Sequence, residues 1–382
     1  MFSRLYIHIP FCRRKCHYCA FFSRENADGD LERYTELLQR EMLLAAETTN
    51  PQQGLDSIYF GGGTPSLMEP QQISRLIDRA VELFGVAANA EITLEANPGT
   101  VDFQRLADFR QAGVTRLSLG IQSFDDRMLT ALGRIHTADQ AREAFRAARR
   151  ANFANIGIDL IHALPGQTLN MWRSDLHQAL HLAPEHLSIY GLTIEEDTPF
   201  AAKFIGDTPL LPDEELAACM FEAADTLLPA YGYEHYEIAN YARAGFRSQH
   251  NSGYWKRDGY LGLGAGAHSY LRDSGYGTRF SNAADLDAFT TALHNDTLPR
   301  TDIMTIARVD AMAEFLFLGL RMSDGVLFKT FEQAFGAGLK QLFAQKIGVL
   351  LAQGLLTEDV SGIRLTLRGM LLSNQVFQQF LP

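Results

Sequence analysis

The sequence predicts an α/β protein: a partial (β/α)6 barrel followed by a C-terminal α+β region that ends in a helical, winged-helix-like tail. Three observations carry that prediction. From the start to about Ile238, short β-branched runs alternate with amphipathic helical stretches, the pattern of a parallel sheet built from right-handed crossovers. Polar residues gather at or just beyond the C-terminal parts of the strand candidates, at Thr64, Glu95, Gln122, Asp159 and His162, where an α/β barrel carries its chemistry. Beyond Ile238 the alternation fails, so the expected division is 1–238 for the barrel and 239–382 for the C-terminal region.

The strand candidates are Arg4–Ile9, Ser57–Phe60, Ile92–Ala96, Arg116–Ile121, Ile156–Ile161 and His186–Leu192. Each is short and carries β-branched or aromatic residues, as strands do. Between them, apolar residues recur at helical spacing over Leu31–Ala46, Pro70–Leu83, Asp102–Ala112, Ala138–Ala151 and Asn170–His181. Six such units predict a six-stranded partial barrel rather than a full eight. A helix over Asp213–Leu228 follows, then a stretch from Tyr231 to Tyr276 rich in Tyr, Gly and His that reads as strands and tight turns. Helical patterns return at Ala283–His294 and Thr305–Arg321, and the last sixty or so residues read helix, helix, short hairpin (Gly354–Thr366), helix.

Composition narrows the function. The 382 residues are 46% hydrophobic and 21% charged, with a formal net charge of −11. That balance argues against nucleic acid or an anionic membrane surface as the main partner. Arg142, Arg146, Arg149 and Arg150 form a local basic stripe at helical spacing, which reads as a solvated helix face. No signal peptide or membrane-spanning run is visible, and the expectation is a cytoplasmic protein. Three of the four cysteines lie between Cys12 and Cys19, a distribution that suits a metal site in a reducing compartment rather than a disulfide framework. The fourth, Cys219, reads as a small buried helix residue.

The strongest motif is Cys12-Arg-Arg-Lys-Cys16-His-Tyr-Cys19, directly after the first strand candidate. A compact loop of this spacing can aim three thiolates at three irons of a cubane cluster, leaving the fourth iron open to a small molecule. Structural zinc would need a fourth ligand, and the only near one, His17, is confined between two cysteines.

With Tyr6-Ile-His-Ile-Pro-Phe-Cys12 and the motifs below, this triplet resembles radical-SAM proteins related to oxygen-independent coproporphyrinogen dehydrogenase, and within them the HemW-type heme chaperones. The resemblance covers nearly the whole chain. It implies a radical-SAM barrel with a 4Fe–4S cluster whose open iron binds the amino and carboxylate groups of S-adenosylmethionine. Reduction then cleaves that molecule to methionine and a 5′-deoxyadenosyl radical. In Phe60-Gly61-Gly62-Gly63-Thr64-Pro65 the glycines permit positive φ and close approach, and are expected to expose N–H groups; the resemblance makes Gly62, Gly63 and Thr64 contacts of the methionine moiety. Glu95, Gln122, Arg134 and Asp159 match the family's S-adenosylmethionine contacts in order, as do Tyr6 and Tyr18. Arg134 is expected to pair its planar fork with the ligand's carboxylate. Read singly, each of these polar groups is equally a rim salt bridge.

His250-Asn251-Ser252-Gly253-Tyr254-Trp255 resembles the HNxxYW segment associated with heme in the chaperone branch. A neutral imidazole can ligate heme iron, and Tyr254 and Trp255 can offer flat apolar surface. The residues alone favour a plainer role, with His250 hydrogen-bonded and Tyr254 and Trp255 in the core; the resemblance tips the balance towards heme for His250, Asn251, Tyr254 and Trp255. His235 and His268 flank the region as rivals.

Two functions compete: a radical enzyme that oxidises coproporphyrinogen III or acts on another porphyrin, or a carrier that binds heme and delivers it to an acceptor protein. The resemblance implies that the dehydrogenases carry a further cysteine where this chain has Phe21, and a longer N-terminal segment than the eleven residues before Cys12. The carrier is therefore favoured, with a membrane-associated acceptor and a homodimer among the implied partners. Ala20 departs from the chaperone pattern, which usually shows Asp there.

Overall fold

The computed structural model describes residues 1–27, 29–49, 54–204 and 210–382. The six expected strands are present as Arg4–Ile9, Leu55–Gly62, Val86–Ala96, Arg116–Gln122, Ile156–His162 and His186–Gly191. They lie side by side in chain order and all parallel. On the outer face, alternate residues such as Leu5, Ile7 and Ile9, Ile58 and Phe60, and Leu117 and Leu119 enter the main apolar core. Helices Asp30–Thr48, Pro70–Phe84, Phe103–Gln111, Ala138–Arg150 and Leu169–Leu182 cover that face. The helix starts are written locally: Glu69 with Gln72, and Thr137 with Gln140, form reciprocal capping boxes. The basic stripe on Ala138–Arg150 is a solvated face with Arg142, Arg149 and Arg150 paired to Asp139, Glu185 and Glu143.

The other face of the strands is polar. Ser57 and Tyr59, Glu91, Thr93 and Glu95, Arg116 and Ser118, Asp159, and His186 and Ser188 alternate with the core residues. A parallel sheet covered on both sides reads as continuous apolar runs. Here one face lines the concave interior of an open barrel instead.

The chain departs from expectation at the sheet's edges. Strand Tyr260–Leu263 adds in parallel to the free edge of the first strand, with Arg4 beside Tyr260 and Tyr6 beside Gly262. Strands His268–Leu271, Thr278–Asn282 and Arg300–Thr305 extend it antiparallel, and Asn240–Ala242 with Glu234–Glu237 closes the opposite edge, making twelve strands. The sheet therefore runs on past Ile238. A second apolar core gathers Ile306, Leu316, Phe331, Phe335, Ile347 and Leu350 around a three-stranded unit of Val326–Leu327, Leu356–Glu358 and Gly362–Leu365. This is the expected helical, winged tail. Glu314 clamps it to the sheet by accepting 2.8 Å bonds from Arg257 and Arg279. Burial acts to raise the Glu314 carboxyl, yet these bonds hold it below the usual range.

Gln249–Trp255 is a helix rather than strand or turn. Ser248 caps it, its hydroxyl accepting from the Asn251 N–H at 3.3 Å. Gly253 hides the periodicity, and it is glycine because a Cβ there would collide with the Arg4 side chain. Cys219 is exposed on helix Glu214–Leu227, not buried, because Met220, Phe221 and Ala224 take the core-facing positions.

Candidate functional site at the barrel mouth

The cysteine loop sits at the C-terminal ends of the strands. The two-residue strand Phe11–Cys12 pairs with Arg24–Glu25 and closes the loop that carries Cys16 and Cys19. Backbone bonds tie the loop to its neighbours: the N–H groups of Gly63 and Thr64 donate to the Ile9 and Phe11 carbonyls at 2.8 Å, and the His17 N–H donates to Leu132 at 3.1 Å. Gly63 must be glycine, since a Cβ would stand 2.7 Å from the Phe11 carbonyl oxygen. The expectation of free amides in the glycine run is thus corrected. Gly63 and Thr64 spend theirs on the cysteine strand, and the Gly62 N–H donates to Glu95 Oε2 at 3.3 Å.

Side chains donate to the sulfurs: the Thr64 hydroxyl to Cys12 Sγ at 3.6 Å and Arg134 Nη1 to Cys16 Sγ at 3.4 Å. Burial raises the Cys12 and Cys19 thiols, so a metal must offset that cost to hold them as thiolates. Among the described residues, no three His, Cys, Asp or Glu side chains converge as ligands of a single ion do. Three thiols in one loop, without a fourth ligand, fit the separate irons of a cluster better than one zinc.

Around the loop stand groups with spare capacity. Glu95 accepts from the Tyr59 hydroxyl at 2.7 Å, and burial pushes its carboxyl up to about 7. Asp159, also raised by burial, accepts from Ser118 at 3.2 Å. A cationic ligand beside these two would favour their ionised forms. Gln122 ends its strand at φ 70°, a left-handed conformation unusual for a side-chain-bearing residue, and its buried Oε1 has no partner. Arg134 donates Nη2 to the Gly120 carbonyl at 2.5 Å. Each terminal nitrogen thus makes one hydrogen bond and keeps a second N–H, while buried Nε makes none. Tyr6 donates to His8 Nδ1 at 2.9 Å, because His8 Nε2 must donate to the Phe22 carbonyl. Tyr18 packs in a small cluster with Phe200. Unpaired polar atoms beside opposed charges would suit a zwitterionic or cationic ligand, and the chemistry of the residues present fits S-adenosylmethionine.

His250 is elsewhere. It lies at the opposite end of the barrel, 1% exposed, with Nδ1 2.8 Å from Ser57 Oγ and Nε2 2.8 Å from the Tyr254 hydroxyl. Glu91 anchors its helix by accepting from the N–H groups of Gln249 and His250 at 3.1 Å. Burial, with Arg4 and Arg116 nearby, depresses the imidazole to about 3, so it stays neutral. With both ring nitrogens engaged, His250 has none for iron. Asn251 serves the helix cap, and Trp255 packs with Tyr236 and Met322 under the Arg321 guanidinium, 4.3 Å from its ring.

Sequence reasoning missed Arg116, 1% exposed inside the barrel with Nε and Nη1 unpartnered, together with Tyr59, Ser118 and Glu91. The period-two polar positions in every parallel strand were the available signal.

Fold and cysteine loop together define the class of radical SAM proteins. The radical SAM superfamily pattern matches residues 6–179, and the HemN C-terminal domain pattern matches residues 306–372, the second core. This class implies a 4Fe–4S cluster and S-adenosylmethionine as cofactors. The chain is 36% identical to the heme chaperone HemW of Bacillus subtilis over 98% of both chains. It is 34% identical to that of Escherichia coli, covering 99% of this chain and 97% of the other. The chain belongs to the HemW family. Its fold matches the coproporphyrinogen III oxidase HemN of Escherichia coli with a TM-score of 0.85, over 99% of this chain and 90% of that one, at 24% identity.

Proposed function

We propose that this protein binds heme and hands it to an acceptor protein, with cluster and S-adenosylmethionine at the barrel mouth. The observation that carries the reading is similarity to heme chaperones over nearly the full length of both chains, tail included. The likeness to the oxidase, at 24% identity, speaks for the fold. Phe21, 67% exposed on the cysteine loop, stands where the oxidising branch is expected to place a further thiol.

On this reading Cys12, Cys16 and Cys19 each ligate one iron. Thr64 and Arg134 hold the Cys12 and Cys16 sulfurs through charge-assisted or hydroxyl hydrogen bonds. Glu95 and Asp159 face the cationic part of S-adenosylmethionine, and Gln122 supplies its free Oε1 to a donor of that ligand. Gly62 and Gly63 let the rim pack against the His8 ring and the Phe11 carbonyl, which sets the floor beneath the ligand, and Tyr6 and Tyr18 wall it. The reduced cluster supplies the electron for cleavage of S-adenosylmethionine when both are bound. The acceptor is a protein, in keeping with the net charge of −11, which disfavours nucleic acid and anionic lipid. Among the described residues no helix is long and apolar enough to cross a membrane.

The test is anaerobic incubation of cluster-loaded protein with reductant, S-adenosylmethionine and either coproporphyrinogen III or heme. The expected result is stable heme uptake without protoporphyrinogen. Substrate-dependent 5′-deoxyadenosine accompanied by protoporphyrinogen would establish the oxidase instead.

A further inference from the structure

We propose that His268, rather than His250, is the side chain that meets the iron of bound heme; the inference rests on the heme-binding function proposed above. The argument starts from which imidazoles are free. In the C-terminal half, His250 is saturated at the barrel base, and His235 is saturated by Asp225 at 2.8 Å and the Ile238 carbonyl at 3.2 Å while stacking on Tyr241. His294 is exposed but ends helix Leu286–His294 in the outer layer, beside helix Asp30–Thr48. His268 is exposed and makes no side-chain hydrogen bond to the described residues.

Its position follows from register. Tyr260 pairs with Tyr270, which places His268 level with Gly262, and Gly262 pairs with Tyr6 of the first barrel strand. Two residues along a strand share a face, so His268 and Tyr270 project the same way. Tyr270 is buried, with the Arg257 and Arg279 guanidinium groups 4.9 Å from its ring and the second core packed on it. Ser269 between them turns back and accepts from the Gly262 N–H at 2.9 Å. The tail thus covers the sheet up to Tyr270 and leaves the next position open. His268 stands exposed on that floor, and its backbone packs tightly on Gly262, where a Cβ would collide with the His268 carbonyl oxygen.

Apolar surface adjoins it. Phe22 packs over Gly266, where a Cβ would stand 3.2 Å from its ring, and stacks on His8 at 6.4 Å between ring centres. Phe21 beside it is exposed on the cysteine loop. Phe22 of the cluster loop thus packs on the turn two residues before His268, which brings phenyl surface for the porphyrin face to the neighbourhood of an accessible imidazole for iron.

Cluster-loaded wild type, His268→Ala and His250→Ala are titrated anaerobically with hemin, following the Soret band and the ferric-heme spin-state signal. His268→Ala should weaken uptake by about tenfold or more and lose the histidine-ligated signature, and added imidazole should restore it. His250→Ala should keep that signature while melting at lower temperature. Unchanged spectrum and affinity in His268→Ala, or loss of the signature in His250→Ala alone, overturns the ligand assignment. Failure of the wild type to take up hemin overturns the heme-carrier function, and the assignment with it.

Discussion

The two ends of the barrel hold similar chemical types in opposite states. At the base, the His250 ring pairs with the Ser57 and Tyr254 hydroxyls and its backbone N–H with Glu91, although Arg116 Nε and Nη1 and Trp255 Nε1 nearby have no partner. At the mouth, Gln122 Oε1 and Arg134 Nε have no partner, Gln122 is held at positive φ, and Glu95 is pushed up to about 7 by burial. A saturated network rigidifies, whereas unspent polar capacity awaits a ligand. Residue type alone does not separate the filled His250 from the unfilled Gln122; the state of each one's hydrogen bonds does.

The largest expected effect is at the mouth. Replacing Cys12, Cys16 and Cys19 together by Ala should drop anaerobically reconstituted iron from about four per chain to nearly none, with secondary structure by circular dichroism unchanged. Iron retained at the wild-type level would remove the basis of the comparison.

His250→Ala tests the base. It leaves the Ser57 and Tyr254 hydroxyls without their ring partner and opens a cavity, for a loss of about 4 kcal/mol in stability. Iron content should not change. A Tm equal to wild type would show that His250 is not the filled side chain described.

Gly62→Ala puts a Cβ 2.5 Å from the His8 ring at φ 110°. The resulting shift of the rim should weaken S-adenosylmethionine by roughly tenfold, equivalent to about 1.4 kcal/mol, measured by calorimetry on cluster-loaded protein.

Glu95 carries a pH signature. Its raised carboxyl is largely neutral below about pH 7, and a cationic ligand favours the ionised form. Affinity for S-adenosylmethionine should therefore rise as pH climbs towards 7 and level off above it. Glu95→Gln should bind several-fold more weakly above pH 7 and lose the slope; a slope that survives would assign it to another group. In the absence of ligand the sign reverses for stability: a raised carboxyl contributes stability below its unfolded value, and that contribution fades as pH rises through 7.

Trp255→Phe should do least. The buried indole Nε1 has no partner, so removing it offsets the small packing loss, and Tm should correspond to a change within about 0.5 kcal/mol. A larger fall would mean that the indole donates to a group at the base.

Much of the barrel was legible because its signals are local. The first strand matched Arg4–Ile9, and helix Pro70–Phe84 begins at its anticipated Pro70. The cysteine loop needed only eight consecutive residues. What escaped was set by distant pairing: Gly63 and Thr64 lose their amides to Ile9 and Phe11, and Arg134 is drawn to a sulfur 118 positions away. No spacing rule within one motif reports on those partners.

By itself, then, the sequence determined the parallel strand order, the bounds of the five helices covering the barrel to within two residues, and a three-cysteine loop, since strand period, capping and ligand spacing act over a few residues. Tertiary structure alone decided that Tyr260–Leu263 would pair beside the first strand, that His250 would be buried at the barrel base, and that His268 would stand open. Those outcomes depend on which segments meet across some 250 residues of chain, as Arg4 and Tyr260 do. They follow from the balance of burial and hydrogen-bond satisfaction in the assembled fold.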